Sequence, residues 1–339
     1  MEIDVGEIRP RKKSMANIII TGGLGFIGAH LVKQFIKSGH PTEAIHIVDT
    51  QRHFLPYKNR NQFEPMRIKQ RFSLISAVHL YSTDTRHAFE MEDLIVEKRP
   101  KTIVHLAALP LANISNEVSQ EASSTILTST LNLLEILKRH SPETHFIYAS
   151  SSMVYGSFNS PLVDENHPKE PINMYGAVKL AGEILVKAFC NKNRIPFSIV
   201  RPSAVYGPTD VNRRVVQAFF DDARLKKKIT VNGRDSILDF TYVDDIASGL
   251  YLCCIDDKSK GEIFNITSGD PRSLGELAEY FMKRFGKIEV EYFGHEKDVP
   301  LRGGLDNSRI MSLLGYAPKF SLDRGLSRYI EEEMSWTNE

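Results

Sequence analysis

An apolar run that empties into glycines, Ile18-Ile19-Ile20-Thr21-Gly22-Gly23-Leu24-Gly25-Phe26-Ile27-Gly28, restricts the fold more than any other stretch of the 339-residue chain. The β-branched run predicts a short buried strand, and the apolar period that follows to Ser38 predicts an amphipathic helix, so the glycines occupy a strand-to-helix turn. Gly23, Gly25 and Gly28 fit G-x-G-x-x-G, and Gly22, Gly25 and Gly28 fit G-x-x-G-x-x-G. Either spacing lets backbone N–H groups approach a pyrophosphate at the helix N-terminus. The next apolar strand, residues 44–49, ends in Asp49, where a carboxylate accepts hydrogen bonds from an adenosine ribose. A ligand-free tight turn is the competing reading of the glycines alone. Strand, helix and acid together favour a dinucleotide, and Asp49 favours NAD because it repels a 2′-phosphate, with Arg52 the one nearby residue suited to such a group.

The remaining periodicity repeats the alternation. Residues 78–84 (ending in Asp84), 102–108, 145–149 and 197–201 read as strands, and residues 90–98, 119–140 and the stretch from Asn173 read as helices. This pattern predicts an α/β fold with a Rossmann-like, doubly wound parallel sheet. Residues 50–74 are polar and contain Pro56 and Pro65, so they read as a long connection with one short helix. Beyond Pro202 come helices at 211–226, 245–255, 273–285 and 306–314 and strands at 229–231, 263–266 and 288–293; Ser273 and Glu276 form a capping-box pattern. The expected organisation is a flexible extension (1–15), a Rossmann domain (16–202, with a return segment 241–268), and a smaller interleaved α/β substrate lobe (203–240 and 269–339).

Composition narrows the class. With 43 basic against 42 acidic residues, the net charge of +1 gives no reason to expect a nucleic-acid partner. Cys190, Cys253 and Cys254 have no metal or redox spacing and read as reduced thiols, and no metal site is expected. No stretch reads as a membrane span or a secretion signal, so a cytoplasmic location is expected.

Tyr175-Gly176-Ala177-Val178-Lys179 places a phenol and an ammonium on one helical face, where the cation favours the phenolate. Alone, the spacing equally suits a solvated helix face. Ser150, Ser151 and Ser152 follow a buried strand at the carboxyl edge of the sheet, where doubly wound folds bind ligands.

Taken in order, Thr21 to Gly28, Asp49, Asp84, His105-Leu106-Ala107-Ala108, Ser150 to Gly156, Tyr175 with Lys179, Arg201 to Pro208 and Asp239 to Asp245 make the chain similar to the extended short-chain dehydrogenase/reductase family. Its NAD-dependent nucleotide-sugar epimerases and dehydratases are the members it resembles. The resemblance implies that Tyr175 accepts and donates the proton, that Lys179 is its electrostatic partner and holds the nicotinamide ribose, and that Ser151 holds the reacting oxygen. It implies NAD contacts from Gly22, Gly25, Phe26, Ile27, Gly28, Asp49, Asp84, Thr85, Leu106, Ala107 and Ala108, with Asp84 at the adenine. A homodimer through helices 119–140 and 175–191 follows by the same analogy, and the expected partner is a nucleotide-diphosphate sugar.

Departures from the family pattern refine the reaction. Dehydrating or decarboxylating members carry an acid where Ser152 or Met153 stands, and a thioether has no basic site able to abstract a carbon-bound proton. Epimerisation, expected at C4 through a 4-keto intermediate, is favoured, with a 4-dehydrogenase or ketoreductase as the alternative and a noncatalytic NAD-binding protein further behind. Ala204, Leu238 and Ile126 replace polar residues common in the family, so substrate contacts are assigned to Ser151, Ser152, Met153 and the arginines Arg213 and Arg302. Arg214 is set facing outward, because adjacent residues rarely both point inward.

Overall fold

The computed structural model describes residues 16–51, 62–109, 117–295 and 299–336. The amino-terminal extension, Arg52 and Pro56 lie outside the described residues. Seven parallel strands form the central sheet: β1 (Ile18–Thr21), β2 (Ile45–Asp49), β3 (His79–Ser82), β4 (Thr102–His105), β5 (His145–Ala149), β7 (Phe197–Pro202) and β12 (Ile263–Ile266), in the order β12-β7-β5-β4-β1-β2-β3. Between these fall β6 (Leu162–Val163), β8 (Val205–Tyr206), β9 (Ile229–Asn232), β10 (Ile237–Asp239) and β11 (Thr241–Tyr242). β13 (Pro271–Ser273), β14 (Val290–Phe293) and β15 (Gly304–Leu305) complete the set. The order reverses at β1, so the carboxyl ends of β1 and β4 flank the crevice where open α/β sheets bind ligands.

The helices are α1 (Phe26–Lys37), α2 (Glu64–Ile75), α3 (Ala88–Lys98), α4 (Ser119–Ser123), α5 (Ser129–His140), α6 (Met174–Asn193), α7 (Val215–Arg224), α8 (Val243–Ile255), α9 (Leu274–Phe285), α10 (Ser308–Leu314) and α11 (Leu322–Ser335). One apolar layer packs α1 and α8 on one face of the sheet; a second packs α3, α5 and α6 on the other. Strands β1, β4 and β5 are buried along their whole length, as strands covered on both faces must be. A third core, built on Phe220, Phe240, Phe281, Leu326 and Tyr329, holds α7, α9 and α11 together.

Several elements differ from the sequence reading. Residues 119–140 form one helix only through a π-turn, Ser124–Thr128, between α4 and α5. The helix α2 is longer than one short turn, and Arg67 explains its place: its guanidinium reaches Asp221 of α7 at 2.6 Å and Glu333 of α11 at 2.5 Å. Helix α11 escapes a periodicity scan read up to Gly315; its Leu322, Leu326, Tyr329 and Ile330 are buried only because the third core exists. The Ser273–Glu276 capping box is present.

Candidate active site

Glycine chemistry sets the floor of the crevice. A Cβ on Gly28 would lie 2.4 Å from the Gly22 carbonyl oxygen, so only glycine lets α1 start this close to β1. Gly22, at φ +68°, sits against Ala107, whose backbone N would lie 2.8 Å from a Cβ. Gly25 is the N-cap of α1 and supplies no side-chain cap, which leaves the helix N-terminus directed at the crevice. The residues that line this cavity include Gly22, Gly25, Phe26, Ile27 and Gly28 from the turn, Asp49 from β2, Asp84 and Thr85 after β3, and Leu106, Ala107 and Ala108 after β4. Asp49 accepts the Leu24 N–H at 3.1 Å and the Gln51 N–H at 2.9 Å, and Asp84 is held by the Arg86 guanidinium at 2.6 Å, which keeps its carboxyl below the usual range. An anion cradle bounded by two acids fits a dinucleotide: the backbone would take a pyrophosphate and the acids would face neutral hydroxyls and base edges.

The other end of the same cavity is lined by Ser151, Ser152, Met153, Tyr175, Lys179 and Arg302. Asn173 caps α6 by accepting the Gly176 N–H at 2.9 Å. Gly176 has no side chain because a Cβ there would lie 2.5 Å from the Met153 carbonyl oxygen, so the helix start seats directly on the serine turn. That seating brings the Tyr175 phenol into hydrogen bonding with Ser151, whose hydroxyl also accepts the Met153 N–H at 3.2 Å. Lys179 donates to the Ala149 carbonyl at 2.6 Å and lies 5.9 Å from the Tyr175 ring centroid. One turn on, Glu183 receives Arg201 at 2.6 and 2.9 Å and the Ser150 hydroxyl, which locks α6 to the ends of β5 and β7.

Electrostatics here depart from a simple lysine–phenolate pair. Burial lowers the Lys179 ammonium to about 7, offset in part by Glu183. Burial raises the Tyr175 phenol; Arg214 and the Ser151 hydrogen bond act in the opposite direction. Arg214 is therefore a cation that acts on the phenol. Its guanidinium pairs with Asp210 at 2.8 Å, lies 5.8 Å from the Phe26 ring centroid and lines the cavity.

This corrects the choice between the two adjacent arginines. Arg213 is exposed, is absent from the cavity wall and pairs with Asp222 at 3.5 Å. Its left-handed φ of 51° turns the chain just before α7, so Arg214, at the N-cap, is the side chain that swings inward. Further lining residues escape the sequence reading, Arg71 and Thr125 among them. Arg71 of α2 donates to the carbonyls of Leu24 and Thr209, and its spacing of four from Arg67 is the only signal the sequence carries. Thr125 lies in the π-turn with its hydroxyl buried and unpartnered, which no helical period reveals.

The family model for NAD dependent epimerases and dehydratases matches residues 18–267. A putative UDP-glucose 4-epimerase of Methanocaldococcus jannaschii is 29% identical over 92% of this chain and 97% of its own length. The structure of a UDP-glucose 4-epimerase from Thermotoga maritima, with UDP-glucose, superposes with a TM-score of 0.82 at 26% identity, covering 95% of this chain and 100% of that one. A UDP-glucuronic acid 4-epimerase from Bacillus cereus, in complex with UDP-glucuronic acid and NAD, gives 0.81 at 27% identity, covering 94% and 99%. Together with the glycine cradle and the Ser151–Tyr175–Lys179 cluster at one end of it, these matches identify the chain as an enzyme of the NAD-dependent epimerase/dehydratase family, with NAD as its cofactor.

Proposed function

We propose that the protein interconverts C4 epimers of a nucleotide-diphosphate sugar through a transient 4-keto sugar, with no net turnover of cofactor. NAD, held along the glycine cradle of Gly22, Gly25 and Gly28, would supply the hydride acceptor and donor. Tyr175, as phenolate, takes the proton of the C4 hydroxyl while the C4 hydrogen leaves as hydride, so negative charge does not accumulate on the sugar oxygen. Ser151 holds that oxygen, and Lys179 and Arg214 offset the charge on the phenolate. Rotation of the keto sugar presents its other face, after which hydride returns to C4 and Tyr175 gives the proton back.

One observation carries the choice of epimerisation. Of the described residues that line the cavity, only Asp49 and Asp84 are carboxylates, and both sit at the ends of β2 and β3. Beside Tyr175 stand Ser152 and Met153, which cannot remove a proton from carbon as dehydration requires. The test is incubation with UDP-, GDP-, CDP- and dTDP-sugars, read by NMR for a C4 epimer and by absorbance for NADH. An epimer without stoichiometric NADH is the expected result; net NADH formation would point instead to a nucleotide-sugar 4-dehydrogenase or ketoreductase.

The same reading includes a homodimer through α4–α5 and α6. Leu131 of α5 and Ile184 of α6 are exposed apolar residues on those helices. Sedimentation velocity showing a monomer would remove this part. Among the described residues no helix is long and apolar enough to cross a membrane.

A further inference from the structure

Arg302 precedes β15, which pairs in parallel with β6, and the Leu305 N–H bonds the buried Asp239 carboxylate at 3.2 Å. This fixes the arginine over the serine turn. Its Nη2 donates to the hydroxyls of Ser152 and Ser203, the latter at 2.9 Å, and its Nη1 lies 3.5 Å from the Met153 sulfur. The Nε is buried and has no acceptor. The other arginines of the cavity are engaged: Arg86 pairs with Asp84 and Arg214 with Asp210, each within 3 Å, and Arg71 spends its guanidinium on the Leu24 and Thr209 carbonyls. No carboxylate among the described residues forms an ion pair with Arg302; Asp239 acts on it only at longer range. Burial lowers its pKa to about 10, so it is still a cation at neutral pH. A desolvated cation without a counter-charge is costly, and a planar guanidinium with a spare N–H is suited to a carboxylate.

Resting on the epimerase reading above, we infer that the sugar this site accepts carries a carboxylate next to its reacting carbon, as in a nucleotide hexuronate, and that Arg302 with Ser152 and Ser203 is its receptor. Position argues against the diphosphate as the bound anion. Arg302 touches Ser152, the residue after Ser151, and Ser151 bonds the Tyr175 phenol. An anion there is a neighbour of C4. In a hexuronate the carboxylate hangs from C5, one bond from C4, whereas the diphosphate hangs from C1 on the opposite side of the ring.

The experiment pairs a neutral sugar with its acid on one nucleotide: UDP-glucose with UDP-glucuronate, and the corresponding dTDP pair. Affinities are measured by calorimetry on the NAD-loaded protein and on Arg302→Gln, with Ser152→Ala as a second variant and thermal melts to verify folding. The wild type is expected to prefer the uronate, and Arg302→Gln to lose about 10- to 100-fold in affinity for the uronate alone, the range of a charged hydrogen bond. Ser152→Ala loses less, in the same direction. Equal or tighter binding of the neutral sugar overturns the inference. So does an equal loss for both sugars in Arg302→Gln, which assigns the arginine to the diphosphate. Because the readout is binding, selective uronate capture without any epimer formed would remove the epimerase reading and leave the receptor intact; epimerisation of neutral sugars alone would do the reverse.

Discussion

The Lys179 ammonium donates a hydrogen bond to the Ala149 carbonyl at 2.6 Å, tying the Tyr-x-x-x-Lys helix to the last residue of β5. The bond explains why the phenol, the serine turn and the sheet edge share one place. It also shows that this buried cation is stabilised by a carbonyl dipole, with Glu183 the favourable charge one turn away.

Tyr175→Phe keeps the ring and removes only the proton carrier. Epimerisation should fall by about 10²- to 10⁴-fold, the usual contribution of a positioned acid–base. Retained NAD, measured after acid release, and an unchanged melting profile would show that the loss is chemical. Activity near the wild-type level would remove Tyr175 from the mechanism.

The pH dependence of stability carries the signature of Lys179. Its folded pKa of about 7 lies below the unfolded value of about 10.4. Between these values the unfolded chain binds more protons, so unfolding free energy rises with pH across that window. In protein freed of nucleotide, Lys179→Met should flatten this rise, as read by urea midpoints at pH 7 and pH 9. An identical slope in the variant would contradict the burial assigned to Lys179.

Arg214→Gln removes the cation that lowers the Tyr175 phenol. The phenol pKa then rises, and the ascending limb of kcat/KM moves to higher pH. Arg213→Gln, which alters an exposed pair with Asp222, should leave that limb in place. A shift in the second variant and not in the first would reverse the assignment of the two arginines.

Breaking the buried cluster of Arg67, Asp221 and Glu333 should destabilise the fold with little direct effect on the chemistry. Arg67→Met takes the guanidinium from Asp221 and Glu333 and leaves Arg224, 3.7 Å from Glu333, as the nearby cation, at a cost of about 3–5 kcal/mol by denaturant unfolding. Replacing all three residues with apolar ones of similar size should cost less, because both carboxylates leave with the Arg67 cation and only Arg224, 3.7 Å from Glu333, loses a partner.

Gly28→Ala tests the cradle. Its methyl would meet the Gly22 carbonyl at 2.4 Å and Gly23 Cα at 2.7 Å, forcing β1 and α1 apart where a pyrophosphate would lie. The folded variant should emerge from purification without NAD, measured by nucleotide release. Full NAD occupancy would show that the turn can relax around a side chain.

Local chemistry in the sequence determined the glycine turn, the alternation of buried strands with amphipathic helices, the acids at the ends of the second and third strands, and the Tyr175–Lys179 spacing. Each depends on residues within one or two turns of one another, so periodicity and residue type suffice to read it. The tertiary structure alone decided which of Arg213 and Arg214 acts on the phenol, since that depends on a single left-handed φ before α7. It also decided the burial that lowers Lys179, the ion cluster that recruits α2, and the contact of Arg302 with Ser152 across 150 residues of chain. Desolvation and long-range pairing are properties of what surrounds a side chain, and those surroundings exist only once the lobes have packed.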